Sequence, residues 1–317
     1  MLQNGDEVDR LHAANVTKLL PADPETAFDF TRRHLLVERH PHVATVLLQQ
    51  LARFSDKQPQ AVDDVLEELI RQSPWREIAA TADDTDLLDP IGSLTQVTLY
   101  LALRHQTSAA STIAHTWFNN PLGSPAAARA IGTIRAWLAL SDERAAERAR
   151  AFALLQSAIH ALPDQQSTDE ADIQTLRSMY WMVEGITSDL YFASGAHAAE
   201  EGEPVDPAPG FAEHAIDVLT TLVRFRHPTI VHNIVRTLAH LASSDPRQTF
   251  LVVANAVKPG DAYTYDSLAA TVTIDLIERY FADFRHVVLA DADLLDAIRS
   301  VLHAFVKAGW PDAVSLT

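Results

Sequence analysis

The groups in this chain that could ligate a metal or move a proton are 14 histidines and 42 carboxylates; cysteine is absent. Histidine gathers in two places, His34, His40 and His42, then His227, His232 and His240. Three or four such side chains converging on one point with an open position would make a hydrolytic metal centre. His40 and His227 both stand directly before a proline that starts a helix, so the spacing instead predicts a structural role, a cap or an interhelical hydrogen bond. Asp83, Asp84, Asp86 and Asp89 form an acidic patch ahead of a helix near Ile91, and Asp291 and Asp293 precede another. Paired carboxylates bind Mg²⁺ or serve as acid and base, but acids in this position complement the partial positive charge of a helix start. No metal or cofactor is assigned.

A third constellation suits recognition rather than chemistry. Tyr263, Tyr265 and Asp266 lie in Asp261-Ala262-Tyr263-Thr264-Tyr265-Asp266, a polar helix entrance after Pro259-Gly260. Exposed tyrosines beside acids make a partner-binding patch, and these three are the expected partner-binding residues. Trp75, Trp117, Trp137, Trp181 and Trp310 are widely spread and read as core or inter-repeat contacts.

Several activities are disfavoured by what is missing. No two of the 10 glycines are closer than seven residues, which removes the phosphate loop, the dinucleotide turn and the nucleophile elbow. No histidine is followed by glutamate, so a helical zinc-protease motif is absent. The lack of cysteine removes disulfides, thiol nucleophiles and Cys-bound zinc together. Net charge is −17, from 25 basic and 42 acidic residues, and the basic side chains are scattered. Nucleic acid is therefore a disfavoured partner. The first residues lack a basic head and apolar run, and no stretch approaches the ~20 apolar residues of a membrane span, so a cytoplasmic protein is expected.

The elements that must position these residues are helices. Ala and Leu abound, glycine is scarce, and no alternating apolar run suggests a strand. Asp23-Pro24-Glu25 supplies an N-cap, a first-turn proline and an early acid. Pro41 and Pro59 open runs with Val43, Val46, Leu47 and Leu51, then Val62, Val65, Leu66 and Leu69, at helical spacing. Further starts stand at Ser124-Pro125, Ser141-Asp142-Glu143, Thr168-Asp169-Glu170, Phe211, Ala292 and Pro311. Gly195 to Gly210 combines Gly, Pro and acids and has little to bury. It predicts an acidic connector, dividing a helical array at 1–195 from a second at 211–317, with the loop at 196–210.

A self-match runs through the chain at a fixed offset. Arg39-His40-Pro41 returns as Arg226-His227-Pro228, 187 residues on (226 − 39). In the same register Val43 meets Ile230, Leu47 meets Ile234, Leu48 meets Val235, Leu51 meets Leu238 and Ala52 meets Ala239. Pro59 meets Pro246, and Val65 and Leu66 meet Val252 and Val253. One amphipathic pair cannot cover its own stripe, so pairs must stack. These two segments resemble the HEAT-like helical repeats, and Asp261 to Thr317 resembles, more distantly, helical C-terminal regions of large bacterial multidomain NTPases. The resemblance implies an all-α fold of antiparallel pairs stacked as a superhelical solenoid. It also implies a non-catalytic module that binds a protein or peptide, as a scaffold or as the sensing part of a larger bacterial polypeptide. The alternative is an enzyme on such a scaffold, a DNA glycosylase-like protein or a metal-dependent hydrolase.

Overall fold

Proline sits at the first position of helix after helix, where its missing N–H has no intrahelical partner to lose. The computed structural model describes residues 6–16, 23–72, 75, 89–163, 173–203, 206–207, 210–257 and 267–316. Among the described residues there are seventeen α-helices and no strand, so the protein is all-α. The first half holds α1 (Glu7–Val16), α2 (Pro24–Leu35), α3 (Pro41–Ala52), α4 (Pro59–Arg71), α5 (Pro90–Tyr100), α6 (Ser108–Asn119) and α7 (Pro125–Leu138). Then follow α8 (Ala145–Ala161), α9 (Ile173–Ala193), α10 (Ala196–Glu200), α11 (Phe211–Leu222), α12 (Pro228–Leu241) and α13 (Pro246–Ala256). The last four are α14 (Ser267–Asp283), α15 (Arg285–Ala290), α16 (Ala292–Lys307) and α17 (Pro311–Ser315). None of the helices among the described residues is long and apolar enough to cross a membrane.

The chain packs into two units, Met1–Ile134 and Arg135–Thr317. In the first, α3 is the central element and packs on α1, α2 and α5, while α4 packs on α6 and α5 on α6. The Gln50 side-chain amide donates to the Ala14 carbonyl, tying α3 to α1, and Arg32 pairs with Glu68 at 3.1 Å between α2 and α4. The buried Asp63 of α4 accepts from Thr107 Oγ1 at 2.8 Å and from the amides of Ala109 and Ala110 at 2.9 and 2.7 Å. It caps α6 from a neighbouring helix, meeting orphan donors that α6 does not satisfy itself.

The second unit also gathers around one helix. There α12 is central and packs on α9, α13 and α14, while α11 packs on α8 and α13, and α13 on α16. Arg224 Nη2 donates to the carbonyls of Ile159 and Leu162, at 2.7 and 2.9 Å, closing the C-terminal end of α8. Tyr280 of α14 donates to the Pro246 carbonyl at 2.6 Å.

The correspondence reaches further than the matched tripeptide. At the 187-residue offset α11 begins and ends where α2 does, Pro24 meeting Phe211 and Leu35 meeting Leu222; α12 and α13 begin at the positions of α3 and α4. Leu35, Val43, Leu47, Leu48, Leu51, Val65 and Leu66 are buried, as are their counterparts Leu222, Ile230, Ile234, Val235, Leu238, Val252 and Val253. From α5 to α14 the offset becomes 179 (276 − 97). Leu94, Val97, Thr98 and Leu101 then meet Thr273, Leu276, Ile277 and Tyr280, every one of them buried.

Some elements differ from expectation. The stretch 196–210 lies inside the second unit, and its first third is helical, as α10. Ala196, Ala198 and Ala199 favour a turn of helix, and Gly195 enters it at φ 86°, a left-handed conformation that glycine adopts without strain. Ser141-Asp142-Glu143 opens only a 3₁₀ turn at Asp142–Arg144, after which α8 starts. Helix α15 follows Phe284 with no capping side chain, whereas α1 follows Asp6, whose carboxylate accepts from the Asp9 amide at 2.9 Å, and α6 follows Thr107.

The central helices set the stability of each unit. Leu47→Ala and Ile234→Ala, both at sites with no solvent exposure, should each lower the unfolding free energy by about 3 kcal/mol. Val37→Ala, at an exposed site, should change it by less than about 0.5 kcal/mol in the same urea titration.

Candidate functional site: a groove repeated in both units

In each unit the central helix and one neighbour leave a groove between them. In the first it measures ≈ 400 Å³ and lies between α3, with Gln49, Ala52 and the following Ser55 and Asp56, and α5, with Ser93, Gln96, Val97 and Tyr100. In the second it measures ≈ 520 Å³, between α12, with His232, Arg236 and Ala239, and α14, with Val272, Asp275, Leu276 and Arg279. Glu200, at the end of α10, closes one side of it.

The two grooves occupy matching positions. Gln49 and Ala52 become Arg236 and Ala239 at the 187-residue offset. Ser93, Gln96, Val97 and Tyr100 become Val272, Asp275, Leu276 and Arg279 at the 179-residue offset. An alanine keeps the gap open on one wall, and a valine or leucine lines the other. Even one cross-groove hydrogen bond recurs with different chemistry. Tyr100 donates to Asp56 Oδ1 at 2.5 Å, and at the same two positions Arg279 Nη2 donates to Ser243 Oγ at 2.8 Å.

In the first groove the charge is a carboxylate. Asp56 also has His105 Nε2 at 3.3 Å and Arg104 Nε at 3.4 Å. Those two side chains arrive because the helix widens after α5 into a π-turn, Leu101–His105, ending at Gln106 with φ 54°. A π-turn inserts one extra residue and turns the following side chains by about a quarter of a revolution, a distortion frequent at functional sites. The Tyr100 hydroxyl, then His105 and Arg104, hold the Asp56 carboxyl below its ordinary range against the opposing effect of burial.

In the second groove two guanidiniums stand where the first has Gln49 and Tyr100. Arg236 grips Glu200 with two nitrogens, Nε reaching Oε1 at 2.8 Å and Nη2 reaching Oε2. The Tyr191 hydroxyl accepts from Arg236 Nη2 at 2.5 Å and donates to Glu200 Oε2 at 2.9 Å, while the guanidinium carbon lies 4.3 Å from the ring centre. Burial, with Glu201 nearby, raises the Tyr191 hydroxyl above its ordinary pKa, and Arg236 opposes this. Arg279 is held by the Ala239 carbonyl at 3.0 Å and by Asp283 at 3.5 Å.

The residues singled out from sequence fall elsewhere. Tyr263, Tyr265 and Asp266 lie outside the described residues, as do Asp83, Asp84 and Asp86. Asp89 pairs with Arg129 at 2.9 Å. Asp291 accepts from the Leu294 amide at 3.0 Å, as a helix-start acid should, and binds Arg247 at 2.5 Å; Asp293 approaches the same arginine at 3.6 Å. His40 and His227 occupy N-cap positions, but neither side chain makes a capping hydrogen bond. Their rings lie instead 5.2 Å from His42 and 5.5 Å from Tyr180. Of the histidine groups, only His232 lines a groove. Among the described residues no three His, Asp or Glu side chains are placed to share a metal ion. Trp75, Trp117 and Trp137 are buried, whereas Trp181 is 79% exposed.

Comparison with family models, curated proteins and solved structures finds no match to this chain.

Tyr100 supports the ionised form of Asp56, so Tyr100→Phe should raise the carboxyl pKa, read by NMR titration of the Asp56 side chain. A carboxyl held low in the folded state contributes stability above its unfolded pKa, near 3.9, and loses it as pH falls through the folded value. The natural chain should therefore lose more stability than Tyr100→Phe as pH drops below about 4.

Proposed function

We propose that this chain is a non-catalytic interaction module, in which HEAT-like helix pairs stack within each unit and offer a groove to a peptide or helix of a partner protein. The observation that carries this reading is the recurrence of one groove at matched positions of two units. The buried residues beneath remain apolar or small while the lining residues change in charge. Packing alone would constrain the core positions and leave no reason for an open gap at Ala52 and again at Ala239. Apolar floor, hydrogen-bonding walls and one or two anchoring charges are what a groove needs to hold a segment of another chain. Affinity in such a site comes from a few anchors rather than from its area. The reading extends to a role as the recognition part of a larger bacterial polypeptide.

The test blocks each groove separately. Ala52→Trp and Ala239→Trp are placed in the full chain, which serves as bait, and co-purifying proteins are identified by mass spectrometry. Each substitution should remove a partner that the natural chain retains, with the helical circular dichroism unchanged. Retention of every partner by both variants would sink the reading. So would specific turnover of a small molecule that a single side-chain change abolishes.

A further inference from the structure

The two grooves share a frame but not a charge. Where the first has Gln49, Tyr100 and Asp56, the second has Arg236, Arg279 and Ser243. Among the described residues, the only charged side chain lining the first groove is Asp56. The second, with Glu200 set aside, is lined by two guanidiniums, the carboxylate Asp275 and His232. Arg279 is met by Asp283 at 3.5 Å, which leaves Arg236 as the fork held by Glu200 alone among the carboxylates that line the groove. A matched position that turns from glutamine to arginine changes what the groove selects, because a guanidinium offers a two-pronged fork that fits a carboxylate.

A carboxylate is already there, carried by the short helix α10. That short helix packs on α9 and α12 and ends in Glu200, whose two oxygens meet the Arg236 fork beside the Tyr191 hydroxyl. The side chain is not sealed in; Glu200 is 44% exposed and Arg236 25% exposed. An incoming group can reach the pair without unfolding it.

From this we infer that the groove of the second unit recognises an acidic side chain of a partner peptide through Arg236, and that Glu200 is an internal stand-in which the partner displaces. The inference rests on the interaction-module reading and adds to it the chemistry of one groove. The tethered carboxylate competes at a high effective concentration, since only the α10 turn separates it from the groove wall. Binding in the natural chain is accordingly weak and is released by whatever draws α10 away. The overall charge of −17 does not forbid an acidic ligand, because charges beyond about 8 Å are largely screened at physiological salt.

The experiment measures fluorescence anisotropy of a labelled peptide repeating Leu-Glu-Glu-Leu, with its glutamine counterpart as neutral control, against the full chain. Glu200→Gln should bind the acidic peptide about tenfold more tightly than the natural chain, leaving the control unchanged. Adding Arg236→Gln should abolish the gain. Should that variant not fold, Glu200→Gln with Arg236→Lys keeps the charge without the fork and should lose at least about fivefold. Glu200→Gln binding no better than the natural chain, or retention of the gain in both Arg236 variants, would overturn the inference. So would tighter binding of a labelled oligothymidylate than of the peptide, since the fork would then be reading phosphate. Those failures leave intact the loss of partners by Ala52→Trp and Ala239→Trp. Failure of the groove-blocking variants removes both readings.

Discussion

A helix with apolar side chains on two flanks must be covered on both, and this requirement organises each unit around one element. Helix α3 is closed in by α1, α2 and α5, and α12 by α9, α13 and α14. Val43, Leu47, Leu48 and Leu51, like Ile230, Ile234, Val235 and Leu238, reach no solvent. Burying such side chains contributes about 1.5–3 kcal/mol each relative to exposure, far more than any surface ion pair here can add. The neighbours are consequently fixed in place, and the gap left above Ala52 or Ala239 becomes a rigid feature of the surface instead of a space that side chains can collapse into.

On that shared frame the polar positions have been free to change. The cross-groove bond from Tyr100 to Asp56 and the one from Arg279 to Ser243 join the same pair of helix positions, yet one presents an anion and the other a cation. The frame tolerates either, because both side chains reach outward from helices whose inward faces are already satisfied. Charge in this protein is a property of the grooves locally, and the net value of the chain says little about either.

The helical class was legible because prolines mark helix starts, and the self-match because the apolar register is long. Pro41, Pro59, Pro228 and Pro246 each stand at a first helical position. The match of α2 to α11 was harder to see, since Phe211 follows a left-handed glycine where Pro24 follows a capping aspartate. The match of α5 to α14 was hidden, because the offset changes and Leu94 corresponds to Thr273 while Leu101 corresponds to Tyr280. What persists there is burial and not identity. The groove linings could not be read in advance, since divergence at Gln49 and Arg236 or Tyr100 and Arg279 erases the similarity that would reveal them. Helix α10 was obscured by the Gly and Pro residues around it, and Asp63, beside Asp64, reads as part of a solvated face although it is buried.

Two look-alike segments in one polypeptide carry a folding hazard, because either can be captured by the neighbours meant for the other. The stripes differ in branching: Leu47, Leu48 and Leu66 on one side, Ile234, Val235 and Val253 on the other. A leucine forks one carbon further out than an isoleucine or valine, so an exchanged segment would leave hollows at some seats and crowd others. The same substitutions that blur the sequence likeness thus give each segment a shape that fits only its own surroundings.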